Sequence, residues 1–330
     1  MAKEAKKKTA DGRKAATKDD PKARQERRHP IRSFLKSVVL LTFIGASVYG
    51  YLRARDHVVK EVTFPRFPPR VVLKDRPSWM SDALAAKIVR VAAPDVAHSA
   101  FDHQLLVNTA ALLRNHPDTA PWVKNVKAVR RAFENRPGDL MEIECEFRSP
   151  VGLVKWENYY WLIDGDGILL PEQYTKADLD KVMRDGDRVV LRIIEGTAAA
   201  PPQSGQRWPG QDVAAGIDMI KLLYGKPYAD DVERINVANF GGRQDRSEAQ
   251  LVLVTKYDTQ LLWGRPINAK DYIVEVTPAQ KLEYMSMIVA QYGRVDAKHA
   301  AVDLRFDTVY LRNADPTQAR GDQAASNDDH

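Results

Sequence analysis

Apolar and polar positions divide the chain into three regimes. Residues 1–30 carry few large apolar side chains and many Lys, Arg, Ala and Asp. So little apolar surface cannot offset the entropy of ordering, and a disordered tail is predicted over residues 1–32. Sixteen uncharged residues follow, Ser37 to Leu52. As a helix that run spans about 24 Å, short of the roughly 30 Å hydrocarbon core. Extension back to Ser33 takes in Phe34, Leu35 and Lys36, whose long stem can snorkel, and yields a workable span of about 20 residues. A transmembrane helix is therefore predicted over 33–53, with Tyr49 and Tyr51 suited to an interface belt. A cleaved signal peptide, with a loose cleavage site at Val48-Tyr49-Gly50, conflicts with the 36 residues ahead of the apolar run. A buried core helix conflicts with the basic stretch directly before it.

Beyond the span the period changes. Residues 58–75, alternating and rich in Val, Phe and Pro, predict an extended strand with edge character. Ser81 is a plausible N-cap for a short helix over Asp82–Arg90 that stops near Pro94. A second helix is expected over Phe101–Arg114, with Phe101, Leu105 and Leu112 at helical spacing. Val123–Phe133 reads as a strand, Asn135-Arg-Pro-Gly138 as a turn, and Leu140–Phe147 as the next strand. In that strand Met141, Ile143, Cys145 and Phe147 face one way and Glu142, Glu144 and Glu146 the other, the pattern of a half-buried sheet. The predicted order is β-α-α-β-β.

Residues 151–312 read as mostly β with two helices. Asn158–Asp164 and Gly167–Leu170 flank a Gly165-Asp166 hairpin. Val189–Ile194 is a strand and 195–211 a loop. Val213, Ile217, Ile220 and Tyr224 fit one helix; Leu282, Met285, Val289 and Tyr292 fit another. Strands are expected near 232–240, 250–256 and 260–264, and a last one over Val302–Arg312. Residues 313–330 are polar and expected to be disordered.

The net charge of +6 belongs to the tail. Residues 1–36 hold 13 Lys/Arg against 5 Asp/Glu, and the other 294 residues hold 37 against 39. A basic nucleic-acid-binding domain is thereby excluded, although the tail can touch anionic lipid or nucleic acid without specificity. Lys/Arg number seven over residues 17–36 and five over 53–72, a bias that predicts a cytoplasmic N-terminus. The single Cys145 excludes an internal disulfide framework.

Candidate chemistry is sparse. Asp164-Gly-Asp-Gly167 invites a calcium reading, but Ile168 stands where an EF-hand loop needs oxygen, so a hairpin turn is preferred. Glu142, Glu144 and Glu146 are better explained as an exposed strand face than as paired catalytic carboxylates. His98, Asp102 and His103 lack a third ligand in a metal spacing. No G-x-S-x-G and no phosphate-binding glycine loop occurs. Cys145 reads as a small buried hydrophobe. Trp122, Trp156, Trp161 and Trp263 read as packing residues. The chain is expected not to be an enzyme and to need no cofactor or metal.

Five short motifs carry a resemblance. Pro121-Trp-Val-Lys-Asn-Val-Lys-Ala-Val-Arg130, Leu140–Gly152 ending Glu-Phe-Arg-Ser-Pro-Val-Gly, Tyr160-Trp-Leu-Ile-Asp-Gly-Asp-Gly167, the pair Gln250-Leu-Val-Leu-Val254 and Leu261-Leu-Trp-Gly-Arg265, and Ala301-Val-Asp-Leu-Arg-Phe306 occur in this order. Together with the basic tail and single span they resemble the FtsQ/DivIB family of bacterial cell-division proteins. The chain departs from the family pattern at Phe133-Glu134, at Phe147 and at Gly152. Its stretches 94–103, 195–211 and 266–278 are longer than usual. The resemblance implies an α+β fold: a single transmembrane helix, a β-α-α-β-β POTRA (polypeptide-transport-associated) domain over 54–150, and a β-rich domain over 151–312 with an open mixed sheet and two helices. It implies a divisome scaffold in the inner membrane, its bulk outside the cytoplasm. Such a scaffold recruits FtsB/DivIC- and FtsL-type single-span proteins, with the lipid bilayer as the other partner and no specific nucleic acid or small-molecule substrate. The docking edge it implies is the last strand, with Asp303, Leu304, Arg305, Phe306, Val309, Tyr310, Leu311 and Arg312 as contact residues. Arg305 is the natural mate for a partner carboxylate, and the edge adds the partner's strand. A membrane-tethered cell-wall enzyme and a POTRA-type translocation component are the competing readings.

Overall fold

A computed structural model describes residues 30–63, 67–132, 134, 139–186, 188–269 and 275–313. The tails expected to be disordered, 1–32 and 313–330, lie almost wholly outside them. Helix α1 runs Pro30–Thr63. Its segment Phe34–Lys60 is long and apolar enough to cross a membrane. Phe34, Leu40, Leu41, Phe43 and Ile44 all expose their side chains, the arrangement expected of a lipid-facing surface. The helix outlasts the expected span by ten residues. No Gly or Pro interrupts residues 51–64, so helix propagation carries through Val58, Val59, Val62 and Thr63, whose β-branching had pointed to a strand. The expected strand at 58–75 shrinks to β1, Arg70–Lys74.

From Phe67 on, the described residues form one compact unit. Its first elements are β1, α2 (Asp82–Ala92), α3 (His103–Asn115), β2 (Val123–Ala132) and β3 (Leu140–Phe147). The sheet order is β1-β3-β2, with β1 parallel and β2 antiparallel to β3. Ser81 caps α2 by accepting from the Leu84 amide at 3.2 Å, as its position predicted. Helix α3 buries Leu105, Thr109 and Leu113 and leaves Leu112 exposed, while Phe101, expected on it, is exposed ahead of its Asp102 cap. A polar residue at the middle of the buried stripe hid the phase of this helix from an apolar count. The alternation in β3 holds: Met141, Ile143 and Cys145 are buried. Trp122 is buried as well and stacks on Trp79, ring centroids 6.1 Å apart.

The remaining elements are β4 (Pro150–Trp156), β5 (Tyr159–Asp164), β6 (Leu169–Tyr174), α4 (Leu179–Met183), β7 (Arg184–Asp185), β8 (Arg188–Val189), β9 (Arg192–Glu195), α5 (Gln211–Leu223), β10 (Val232–Asn236), β11 (Leu251–Thr255), β12 (Gln260–Gly264), α6 (Pro278–Tyr292), β13 (Ala301–Asp303) and β14 (Tyr310–Arg312). Nine strands form one mixed sheet, ordered β14-β13-β12-β11-β10-β9-β4-β5-β6. The pairs β4–β9, β9–β10 and β12–β13 are parallel. The remaining neighbours run antiparallel.

Two cores lie on opposite faces of this sheet. Helices α5 and α6 cover one face and share a cluster with Val154, Ile163, Leu169, Ile194, Leu253, Leu261, Trp263 and Val302. Gly216 lets α5 approach: a Cβ there would stand 2.7 Å from Ile194 Cδ1. The other cluster joins Leu153, Tyr160, Leu162, Leu170 and Ile193 to α2, α3 and the three-stranded sheet. The predicted boundary at 150/151 cuts β4 one residue after its start at Pro150, and one core runs across it. The expected final strand Val302–Arg312 is two strands, β13 and β14, folded back antiparallel with Val302 opposite Leu311.

Trp122→Ala should lower the stability of residues 64–330 by about 3–5 kcal/mol in chemical denaturation, whereas Glu146→Ala on the exposed face should stay within about 0.5 kcal/mol. Equal effects would reverse the assignment of faces.

Candidate functional site

The residues singled out for chemistry are largely committed to each other. In the β5–β6 turn, Asp164 Oδ1 accepts the Asp166 and Ile168 amides at 2.9 and 2.8 Å, and Oδ2 accepts Arg148 Nη1 at 2.9 Å. Asp166 pairs with Lys124 at 3.0 Å. Gly167, at φ +77, supplies the left-handed residue of this turn. The carboxylates that invited a calcium reading close a hairpin and tie it to β2. Glu144 lies 3.9 Å from both Lys74 and Arg130, a cross-strand charge ladder on the outer face of the small sheet. Asp102 caps α3 through the Leu105 amide and pairs with His98 Nδ1 at 2.8 Å; the His98 hydrogen bond first, then the Leu105 amide, hold its carboxyl below the usual range. Burial pushes the Cys145 thiol up to about 11, so it stays protonated at neutral pH. Among the described residues no group of three His, Cys, Asp or Glu side chains is arranged to hold a metal ion.

The terminal hairpin β13–β14 holds the eight expected contact residues. The sequence made Asp303 and Arg305 contact residues, with Arg305 the mate of a partner carboxylate. Asp303 and Arg305 are instead 1% and 8% exposed. Arg305 grips Asp303 with two parallel bonds, Nε to Oδ1 at 2.9 Å and Nη2 to Oδ2 at 2.8 Å. The Arg305 amide adds a third bond at 3.1 Å, and Nη1 donates to the Ser247 carbonyl at 3.1 Å. A guanidinium so occupied is not free to meet a partner carboxylate. Burial pushes the Asp303 carboxyl up, but the Arg305 side chain and amide outweigh it and hold the group below the ordinary value. Arg312 Nη2 stands 3.5 Å from the same carboxylate, its side chain 58% exposed.

The other contact residues divide by face. Leu304 is fully buried and donates its amide to the Leu262 carbonyl. Val309 and Leu311 pack half-buried on the α5/α6 core. Phe306 and Tyr310 are exposed and meet edge to face, centroids 6.5 Å apart. The exposed set is therefore Phe306, Tyr310 and Arg312. Two supports of the hairpin escaped the sequence reading. Tyr284 on α6 donates its hydroxyl to the Asp307 carbonyl at 2.9 Å. Buried Lys281 reaches Glu275 Oε2 and the Trp263 carbonyl, each at 2.6 Å, below the strand that carries β13. The Asp-x-Arg spacing was the available signal, since residues two apart share a strand face.

The chain matches no family model and no curated protein.

Asp303 should make stability depend on pH. A carboxyl depressed in the folded state stabilises fully above its unfolded value near 3.9, and that stabilisation is lost as pH falls through the folded value. The urea midpoint should therefore drop more steeply below about pH 4 for the native chain than for Asp303→Asn. Asp303→Ala, which strands a buried guanidinium, should cost about 3–5 kcal/mol at neutral pH.

Proposed function

We propose that the chain is a membrane-anchored divisome scaffold of the FtsQ/DivIB kind, and that it recruits FtsB/DivIC- and FtsL-type single-span proteins by strand addition to β14. The observation that carries the reading is the end of the nine-stranded sheet. Among the described residues β14 pairs only with β13, so its outer row of N–H and C=O groups is available to a partner strand. The opposite end differs. Along β6, Leu169 exchanges backbone bonds with Gln206 and Gly205, and Pro171 removes a donor. That edge is blunted while β14 is not.

Further support comes from the five ordered motifs, from the β-α-α-β-β order ahead of the large sheet, and from a helix suited to hold the protein in a bilayer. Confinement to the membrane plane raises the effective concentration of partners anchored in the same membrane. The charge bias around α1 favours a cytoplasmic N-terminus, with residues 64–330 outside. The role is that of a binding surface without catalysis.

Leu311→Pro in the full-length protein removes an edge donor, because the register turns the Tyr310 and Arg312 backbone groups toward β13 and the Leu311 N–H outward. Retention of the FtsB/DivIC-type partner in a detergent pull-down should fall roughly tenfold, the effect of losing one or two hydrogen bonds of about 1 kcal/mol each. Unchanged retention by a folded variant would place docking elsewhere. A reporter active only outside the cytoplasm should work when fused after His330 and stay silent when fused before Lys3.

A further inference from the structure

The two cores leave part of the large sheet uncovered. On β10, β11 and β12 the register puts Asn236 beside Val252, Val252 beside Leu262, and Val254 beside Gln260, all on the face opposite the α5/α6 core. The second core reaches Ile193 on β9 and includes no residue of β10, β11 or β12. A cleft of about 220 Å³ lies over this half-face, floored by Val252, Val254 and Leu262.

Its far wall is the connection from β10 to β11, the fourteen residues 237–250. A hairpin link needs only about 2–5 residues, and long ordered links are usually functional. This one is held firmly. Buried Asn239 donates to the carbonyls of Asp245, Glu248 and Ala249 and accepts from the Gln244 and Asp245 amides. Arg243 ties the base of the link to Asp212 and to the carbonyls of Gly196 and Ala238. Arg305 fastens Ser247 from the sheet side. The wall is thus preorganised, which lowers the ordering cost of binding.

The lining is polar above its aliphatic floor. Among the described residues the side chains of Gln244, Glu248 and Gln260 make no hydrogen bond, although Arg305 acts on Glu248 through space. Asn236 and Gln250 use only their carbonyl oxygens, on the Ala238 and Gly241 amides. Among the described residues the charged lining side chains are Asp245 and Glu248, with no Lys or Arg. Carboxamides offer both a donor and an acceptor, the complement of a peptide group. The floor suits a small aliphatic side chain, and the acidic wall suits a cation. The volume is below the roughly 300–1,000 Å³ of drug-sized ligand sites, and no aromatic plane offers itself to a sugar ring.

We propose that this cleft is a second docking site, separate from the β14 edge, for an extended peptide segment of a partner protein that carries Lys or Arg beside a small aliphatic residue. The peptide lies across β10–β12, its backbone met by Asn236, Gln250 and Gln260, its cation by Glu248.

The test uses the full chain in nanodiscs of neutral phosphatidylcholine and two fluorescent decapeptides of alternating Val and Thr, one with a central Lys and one with a central Glu. The Lys peptide should bind saturably, and the Glu peptide about tenfold or more weakly. Gln260→Trp, at an exposed mouth position, and Glu248→Lys should each weaken the Lys peptide to a similar extent, while Leu311→Pro leaves it unchanged. No saturable binding, equal affinity for the two peptides, or unchanged binding in Gln260→Trp overturns the proposal. Sensitivity to Leu311→Pro alone would assign the peptide to the sheet edge and also overturn it. Saturable binding of chitotetraose in place of the Lys peptide would do so as well. Failure of the cleft to bind leaves partner docking at β14 standing, which the Leu311→Pro pull-down tests separately.

Discussion

Adjacent aliphatic residues that point to opposite faces hold the large sheet in place. Leu153 and Val154 on β4, Leu162 and Ile163 on β5, Leu169 and Leu170 on β6, and Ile193 and Ile194 on β9 each send one side chain to either core. Each such burial contributes about 1.5–3 kcal/mol. Because side chains alternate along a strand, the same four strands fix the first module on one face and the helices on the other. A cut at residue 150 would expose the second core on both sides, so the two expected domains share their stability.

The far half of the sheet follows a different rule. Beyond β9 helices cover only the α5/α6 face, and a strand buried on one face should alternate. β11 does not: Leu251-Val-Leu-Val254 is apolar throughout, and Val254 and Leu262 are buried beneath the 237–250 link. The chain therefore keeps aliphatic groups on a face that no helix of its own covers. It holds a long loop over them with Asn239, Arg243 and Arg305. The two ends of the sheet are also unequal, one closed by residues 205–208 and Pro171, the other ending on a three-residue strand.

Local signals in the sequence were legible where a single residue type dictates geometry. Ser81 as an N-cap, the Asp164–Gly167 turn and the alternation of β3 follow from side-chain chemistry within a few residues. Helix α3 shows where that fails, since Thr109 occupies a buried position that an apolar count passes over. The end of α1 was misjudged because Val and Thr favour strands in isolation, whereas a helix already nucleated continues until something stops it. The last strand was misjudged for a longer-range reason. Whether Val302–Arg312 runs straight or folds back depends on Tyr284 and Asp303, and α6 lies about twenty residues earlier in the chain.

The Asp303–Arg305 pair explains why the terminal strand could be read from the sequence although the burial of its side chains could not. Asp-x-Arg on an outer strand reads as exposed charge because charges are seldom buried. Inside the fold the pair is nearly isolated from water, so its desolvation offsets much of its attraction and its net stabilisation is small. What the pair supplies is direction. Arg305 has its bonds to Asp303 and to the Ser247 carbonyl, and its own carbonyl accepts the Val276 amide at the start of α6. One guanidinium thereby joins the terminal hairpin to the 237–250 link, while the backbone beside it reaches the helix that covers the core. Losing the pair would remove one tie from the hairpin and one from the link, so the edge and the cleft share a buried charge.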